Sequence, residues 1–276
     1  VVTHPRRDAR RIPGMTPGTS FPVRLRVSAI ALLGLALALP AQARLVAVEG
    51  DARDPDSDRL LYREAHLIRH EGARPIERLV LYRCPDGTAF ARKRVDYRDS
   101  VLAPAFEMID ARGHREGLRR EGGRTLVWSG DGAPRAVAAG GAPLVADAGF
   151  DEFLRLRWPQ LTAGEAQPLT FAVPAFGRGM PFKVRSTGQR REGDDRLQRF
   201  ELRLDGLLGR VAGAIRVEYD AEDRRLRRFS GPTNIRDGRG GQIEARIDFP
   251  NAPRPADPAA WRTASEQPLA SCALGR

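Results

Sequence analysis

Residues Val145–Leu161 read VADAGFDEFLRLRWPQL. Phe150, Phe153, Leu154, Trp158 and Leu161 recur at intervals of three and four residues, the spacing that gathers side chains on one helix face. Asp147 stands where a side-chain oxygen caps the first free N–H groups. Asp151 and Glu152 suit the positive end of the helix dipole, Arg155 and Arg157 the negative end. Pro159 predicts the stop, because proline cannot donate to the helical ladder. After residue 43 no other stretch shows this period so clearly. The flanks alternate like β-strand, which predicts one amphipathic helix laid against a sheet.

Outward from that helix the alternation is regular. Leu60 onward puts Tyr62, Glu64, His66, Ile68 and His70 on one face of an extended segment. Residues 76–84 (IERLVLYRC), a Pro85-Asp86-Gly87 turn and residues 88–97 read as a β-hairpin. Residues 106–110 and 115–120 flank a turn in ARGHREG, and 125–129 is a further strand. Beyond the helix, 169–173, 182–185, 200–204, 215–220, 224–229 and 243–249 continue the pattern. Strict period-2 alternation predicts antiparallel strands with one wet and one covered face. The expected class is therefore mainly β (α+β): an antiparallel curved sheet, or unclosed half-barrel, with one central amphipathic helix. A doubly wound α/β fold is excluded.

Residues 1–43 read as a leader and signal peptide. Arg24 and Arg26 precede a 13-residue apolar run, Val27–Leu39, and Ala41-Gln42-Ala43 supplies small residues for cleavage. The run falls short of the roughly 20 apolar residues of a spanning helix, so no transmembrane anchor is expected in the mature chain. Met15 is an alternative translation start to Val1. The expected location is periplasmic or secreted, with cleavage near Ala43. The expected organisation is a single β-rich domain over 44–249 and a Pro/Ala-rich tail over 250–276 without regular structure, Trp261 being its docking point. The full chain carries 46 basic and 35 acidic residues. Without residues 1–43 the balance is 40 to 34, a net charge of +6 rather than +11.

Candidate chemistry is sparse. Nucleophile-elbow, phosphate-loop, dinucleotide and metalloprotease motifs are absent. On a strand His66 and His70 lie about 13 Å apart, too far to share a metal ion, so no metal and no cofactor are expected. Glu64, Asp110 and Glu116 are the acids that a curved sheet could converge for carboxylate catalysis, against a plainer role as surface carboxylates among arginines. Cys84 and Cys272, the only cysteines, either pair as a disulfide in an exported chain or stay as two thiols. Arg224, Arg225, Arg227 and Arg228 are the densest cationic run. With only Phe229 near for base stacking, no nucleic-acid partner is expected, and an anionic envelope component is the functional alternative to a solvated strand pair. Asn234, in SGPTN, reads as a turn residue.

Three stretches carry a resemblance. Pro104-Ala-Phe106 with DARGHREG (110–117), ADAGFDEF (146–153), and Tyr219-Asp220 followed by Arg225-Leu226 and FSGPTN (229–234) resemble a group of uncharacterised exported proteins of Proteobacteria. In strand–helix–strand layout the chain is similar to the periplasmic lipoprotein carriers, unclosed half-barrels with a helix plug. Fold alone does not set function. The expected role is binding of an apolar or amphiphilic ligand in the cell envelope, with Phe150, Phe153 and Trp158 as contact candidates. The alternatives are an exported hydrolase using concave-face carboxylates and a structural envelope protein.

Overall fold

The computed structural model describes residues 44–206 and 213–274. The expected leader, apolar run and cleavage site lie outside the described residues. The first meander comprises β1 (Arg44–Arg53), β2 (Leu60–Glu71), β3 (Arg74–Arg83), β4 (Ala89–Asp96), β5 (Ala105–Asp110), β6 (Arg115–Glu121), β7 (Arg124–Ser129) and β8 (Arg135–Val137). Then come β9 (Leu144–Val145), α1 (Gly149–Leu156) and α2 (Trp158–Thr162). The second meander is β10 (Gln167–Val173), β11 (Arg178–Glu192), β12 (Asp195–Leu204), β13 (Ile215–Asp220), β14 (Leu226–Arg236) and β15 (Gln242–Asp248). A two-residue strand, β16 (Arg254–Pro255), precedes α3 (Pro258–Glu266).

All the strands belong to one sheet, and the two meanders join where Asp51–Arg53 of β1 pair with Arg246–Asp248 of β15. Neighbouring strands are antiparallel except β9 and β10. The free ends, β8 and β9, leave the curved sheet unclosed, as the alternation predicts. β8 comes close to β10 and β11 at a seam that needs glycine. A Cβ on Gly179 would stand 2.6 Å from Thr170 and 3.1 Å from Val137 of β8. Thr170 also donates to the carbonyls of Pro143 (2.9 Å) and Ala139 (2.7 Å), tying the connecting loop down.

The aromatic stripe is buried as its spacing requires: Phe150, Phe153, Leu154, Trp158 and Leu161 pack with Leu169, Phe200, Val217 and Tyr219 inside the curve. Two details differ from the expectation. Asp147 does not cap the helix; it has φ 45° and its carboxylate turns inward, while Ala148 takes the cap position without a side-chain bond. Pro159 does not end the helical segment. The break falls at Arg157, and Pro159 sits in the first turn of α2, where its missing N–H costs nothing. At Gly149 the Leu102 carbonyl oxygen lies 2.0 Å from where a Cβ would be, so only glycine lets the helix start press on that loop.

Three further elements depart from the reading above. Residues 44–53, not read as a strand, form β1. SGPTN is not a turn but the second half of β14. The tail, expected to be irregular, holds α3, capped by Asp257 accepting from the Ala259 N–H at 2.7 Å. Trp261 docks under the guanidinium of Arg69, 4.1 Å from the ring centroid. Arg92 and Arg94 donate to carbonyls at the end of α3, which packs against β3. Accordingly β3 is covered on both faces: Val80 and Tyr82 lie in the interior cluster, while Leu79 and Leu81, alternate in sequence, are equally buried.

Candidate ligand-binding cleft

Antiparallel connectivity puts the β1–β2, β3–β4, β5–β6 and β14–β15 turns at one end of the half-barrel. Each is built on an aspartate whose carboxylate accepts backbone N–H groups two to four residues on. Asp54 accepts from Asp56 and Ser57, Asp86 from Thr88, Asp110 from Arg112 and His114, and Asp237 from Arg239 and Gly241, all at 2.8–3.1 Å. The backbone N–H groups of Ser57 and of Arg239, respectively, are the chief cause holding the Asp54 and Asp237 carboxyls below their ordinary range. These acids are committed to turn geometry.

Between the turns lies a cleft of about 730 Å³. Its floor is Leu61, Phe90 and Ile243, continuous with the interior cluster around Tyr62, Tyr82 and Ile247. Its rim carries Arg59, Arg112, Arg236 and Arg239 together with Asp54, Asp56, Asp110, Asp237 and Glu244, cations and acids in near balance. One wall is the end of the tail, Ser271–Leu274, joined to the β3–β4 turn by the Cys84–Cys272 disulfide. On the side of β5 and β6 the mouth is bridged by Arg112, which forks onto Asp110 and donates to the carbonyls of Arg236 (3.1 Å) and Asp237 (2.6 Å). With its apolar floor and charged rim, a concave site of this size falls in the volume range of small-molecule sites.

No protein-family model matches the sequence, and no curated protein matches it. A solved structure is similar in fold. It is the β-barrel-like protein of a domain of unknown function, DUF1849, from Brucella abortus, with a TM-score of 0.47 and 9% identity. The alignment covers 79% of this chain and 100% of that one. No helix among the described residues is long and apolar enough to cross a membrane.

Behind the cleft the interior is polar where an apolar core would be simpler. Asn234 of β14 and Lys93 of β4 both bond Oδ2 of Asp147, at 2.8 and 2.7 Å. Tyr219 donates to Asp151, which Arg78 also approaches at 3.5 Å. Burial pushes both carboxyls up, but the cations overcome it: Lys93 for Asp147, and Arg155 with Arg78 for Asp151, so each lies below its ordinary value. Buried ion pairs of this kind cost desolvation and stabilise little in net, yet removing one partner is expensive. They fix which loops meet across the barrel.

The sequence candidates are distributed as follows. Phe150, Phe153 and Trp158 are core: Trp158 packs edge-on against Phe200 (centroids 5.1 Å) and Tyr219, Phe150 against Phe171, and none of the three lines the cleft. Of the three acids only Asp110 lines it, and Arg112 holds it at 2.8 Å. Glu64 is bonded to His66 at 2.8 Å, and Glu116 to Arg236 at 3.3 Å. Ser129, His114 and Glu116 come together, but not as a catalytic triad. Ser129 and Glu116 both face one nitrogen, His114 Nε2, which also accepts from Arg236 Nε at 3.2 Å, whereas a triad needs the hydroxyl and the acid on opposite ring nitrogens.

The arginine run is largely spent on the chain's own acids. Arg225 pairs with Asp223 at 3.1 Å, Arg227 with Asp195 and Asp220, and Arg228 with Asp248 and Glu218. Arg224 stacks over Trp158, 5.3 Å from the ring centroid. The cationic surplus lies elsewhere on the outer face, where Arg185, Arg203 and Arg216 share the single carboxylate of Glu201. Hydrogen bonds, from Arg203 above all, hold that carboxyl down to about 2. The cleft itself was missed from sequence. Its signals were the recurrent aspartate-led turns and the second cysteine, but nothing in the order of residues says that these turns share one end.

Proposed function

We propose that this protein is an exported binding protein that holds an amphiphilic ligand, non-covalently, in the cleft between its turns. The observation that carries this is the cleft's division: an apolar floor of Leu61, Phe90 and Ile243 under a charged rim, Arg236 and Arg239 among its cations and Asp110 and Glu244 among its acids. An acyl or similar apolar body would desolvate the floor, at roughly 25 cal/mol per Å² removed from water. Its polar end would stay at the wet rim. The apolar run at residues 27–39 with its small-residue cleavage box supports a place in the cell envelope. Native mass spectrometry of the protein purified from a periplasmic extract tests the reading. A reproducible adduct that extracts into organic solvent is expected and would give the ligand class; a clean apo mass together with no saturable uptake of dansyl-undecanoic acid would defeat it.

A second reading, contact with an anionic envelope component, is supported by the three arginines around Glu201 rather than by the run at 224–228. It predicts co-sedimentation with anionic vesicles that weakens as salt screens the charges. Unchanged binding of an Arg185→Gln, Arg203→Gln, Arg216→Gln variant would dismiss it.

A further inference from the structure

The wall of the cleft formed by the tail differs in kind from the rest of it. The other walls are hairpin turns with several internal hydrogen bonds each. The tail beyond α3 is held to the sheet only as far as Cys272. Arg83 bonds the Gln267 side chain at 2.8 Å, Arg92 donates to the Gln267 carbonyl at 3.2 Å, and the Ala270 N–H donates to the Ala89 carbonyl at 2.9 Å. Cys272 is bonded to Cys84. Past that bond the only backbone hydrogen bond among the described residues is local, from Leu274 N–H to the Cys272 carbonyl. Leu274 nevertheless packs its side chain, half-buried, against the same interior cluster that forms the floor. An apolar side chain on this strap, past the last bond to the sheet, thus covers apolar surface inside the cleft.

We infer that Leu274 is an internal occupant of the cleft. It fills part of the seat that the ligand's apolar body takes, and ligand entry displaces it, with the strap pivoting at Cys272. This rests on the ligand-binding reading above and adds to it a competition within the chain. The physical basis is that Leu274 packs on the interior cluster that carries the floor and lines the same cleft, so its hydrophobic gain and the ligand's cannot both be collected. The strap's anchor is covalent and lies two residues before Leu274, so a swing leaves α3 and the disulfide in place.

The experiment uses the full chain and dansyl-undecanoic acid as the probe, with fluorescence titration at matched temperature and salt. Leu274→Ala removes the occupant and leaves the tether. The probe is expected to bind about three- to tenfold more tightly, the fold-change equivalent to freeing a partly buried leucine. Leu274→Trp, a larger occupant, is expected to weaken binding by a similar factor. If the wild-type chain binds the probe and Leu274→Ala binds it equally or more weakly, the strap is a fixed wall; the occupant proposal falls and the cleft reading stands. If neither chain binds, both fall. Thermal unfolding run in parallel shows whether the variants keep their fold, since Leu274→Ala is expected to lower the midpoint only slightly.

Discussion

Asn234 and Asp147, 87 residues apart in sequence, are joined by a 2.8 Å hydrogen bond from Nδ2 to Oδ2 across the interior of the half-barrel. The same oxygen receives Lys93 from the other meander. Asp147 can present its carboxylate inward because it occupies the left-handed region, φ 45°, which aspartate tolerates better than most residues. One carboxylate therefore anchors the entry to the helix to both halves of the sheet. Its side chain is only 3% exposed, so each partner is needed to offset the desolvation of the charge.

Substitutions at Asn234 should rank by charge rather than by size. Asn234→Ala removes one hydrogen bond to a buried carboxylate and is expected to cost about 1–3 kcal/mol. Asn234→Asp sets a second carboxylate against the first and is expected to cost more, about 3–5 kcal/mol. Urea midpoints decide the order; equal losses would mean that the contact is incidental.

Stability should decline on acidification in two stages. Burial, aided by Arg44 and Arg78, holds the His70 imidazole below its ordinary value. The unfolded chain then takes up a proton near pH 6.5 that the folded chain refuses, and stability falls below about that pH. Asp147 and Asp151, held below the ordinary carboxylate range despite burial, contribute stability that is present above about pH 4 and lost as pH drops through their folded values. Glu152, raised by burial, acts in the opposite sense as it protonates. Thermal midpoints should bend near those two points, with Asp147→Asn flattening the lower one; a midpoint constant from about pH 7 to 3 would contradict the assignment.

The disulfide closes a loop with a sequence separation of 188. In the chain-entropy picture its loss by Cys84→Ser with Cys272→Ser removes at most about 5 kcal/mol, less where the unfolded chain keeps structure. Denaturant unfolding of the double variant should show a lower midpoint. An unshifted midpoint would mean that the cross-link holds only the strap and not the fold.

Core and cleft should separate cleanly in paired measurements. Phe153, fully buried in the helix–sheet core, is expected to cost about 1–2 kcal/mol as Phe153→Leu while leaving probe affinity unchanged. Ile243→Arg, at the half-exposed floor, is expected to abolish probe binding with little change in the unfolding midpoint. Loss of affinity in Phe153→Leu with no loss of stability would return the aromatic stripe to the role of ligand contact.

Much of this molecule can be read from residue order because short-range periodicity is a local property. The alternation of Phe200, Leu202 and Leu204 with Glu201 and Arg203, and the three-four spacing of Phe150, Phe153 and Leu154, need only pleat and helix geometry to decide strand, helix and buried face. Even α3 left a trace: Leu79-Val80-Leu81-Tyr82 is an unbroken apolar run, the mark of a strand covered on both sides. Sheet order was beyond local reading. Which aspartate caps a turn and which turns inward depends on a partner more than fifty residues away, as Asp147 shows with Lys93 and Asn234. Arg225, Arg227 and Arg228 belong to a basic run in sequence but to ion pairs in space, because acids such as Asp195 and Asp248 arrive from other strands. So the chain's own order determined its elements and their buried faces, whereas only tertiary structure decided where its charges cancel and where the cleft opens, since both follow from contacts between strands that the backbone brings together from far apart.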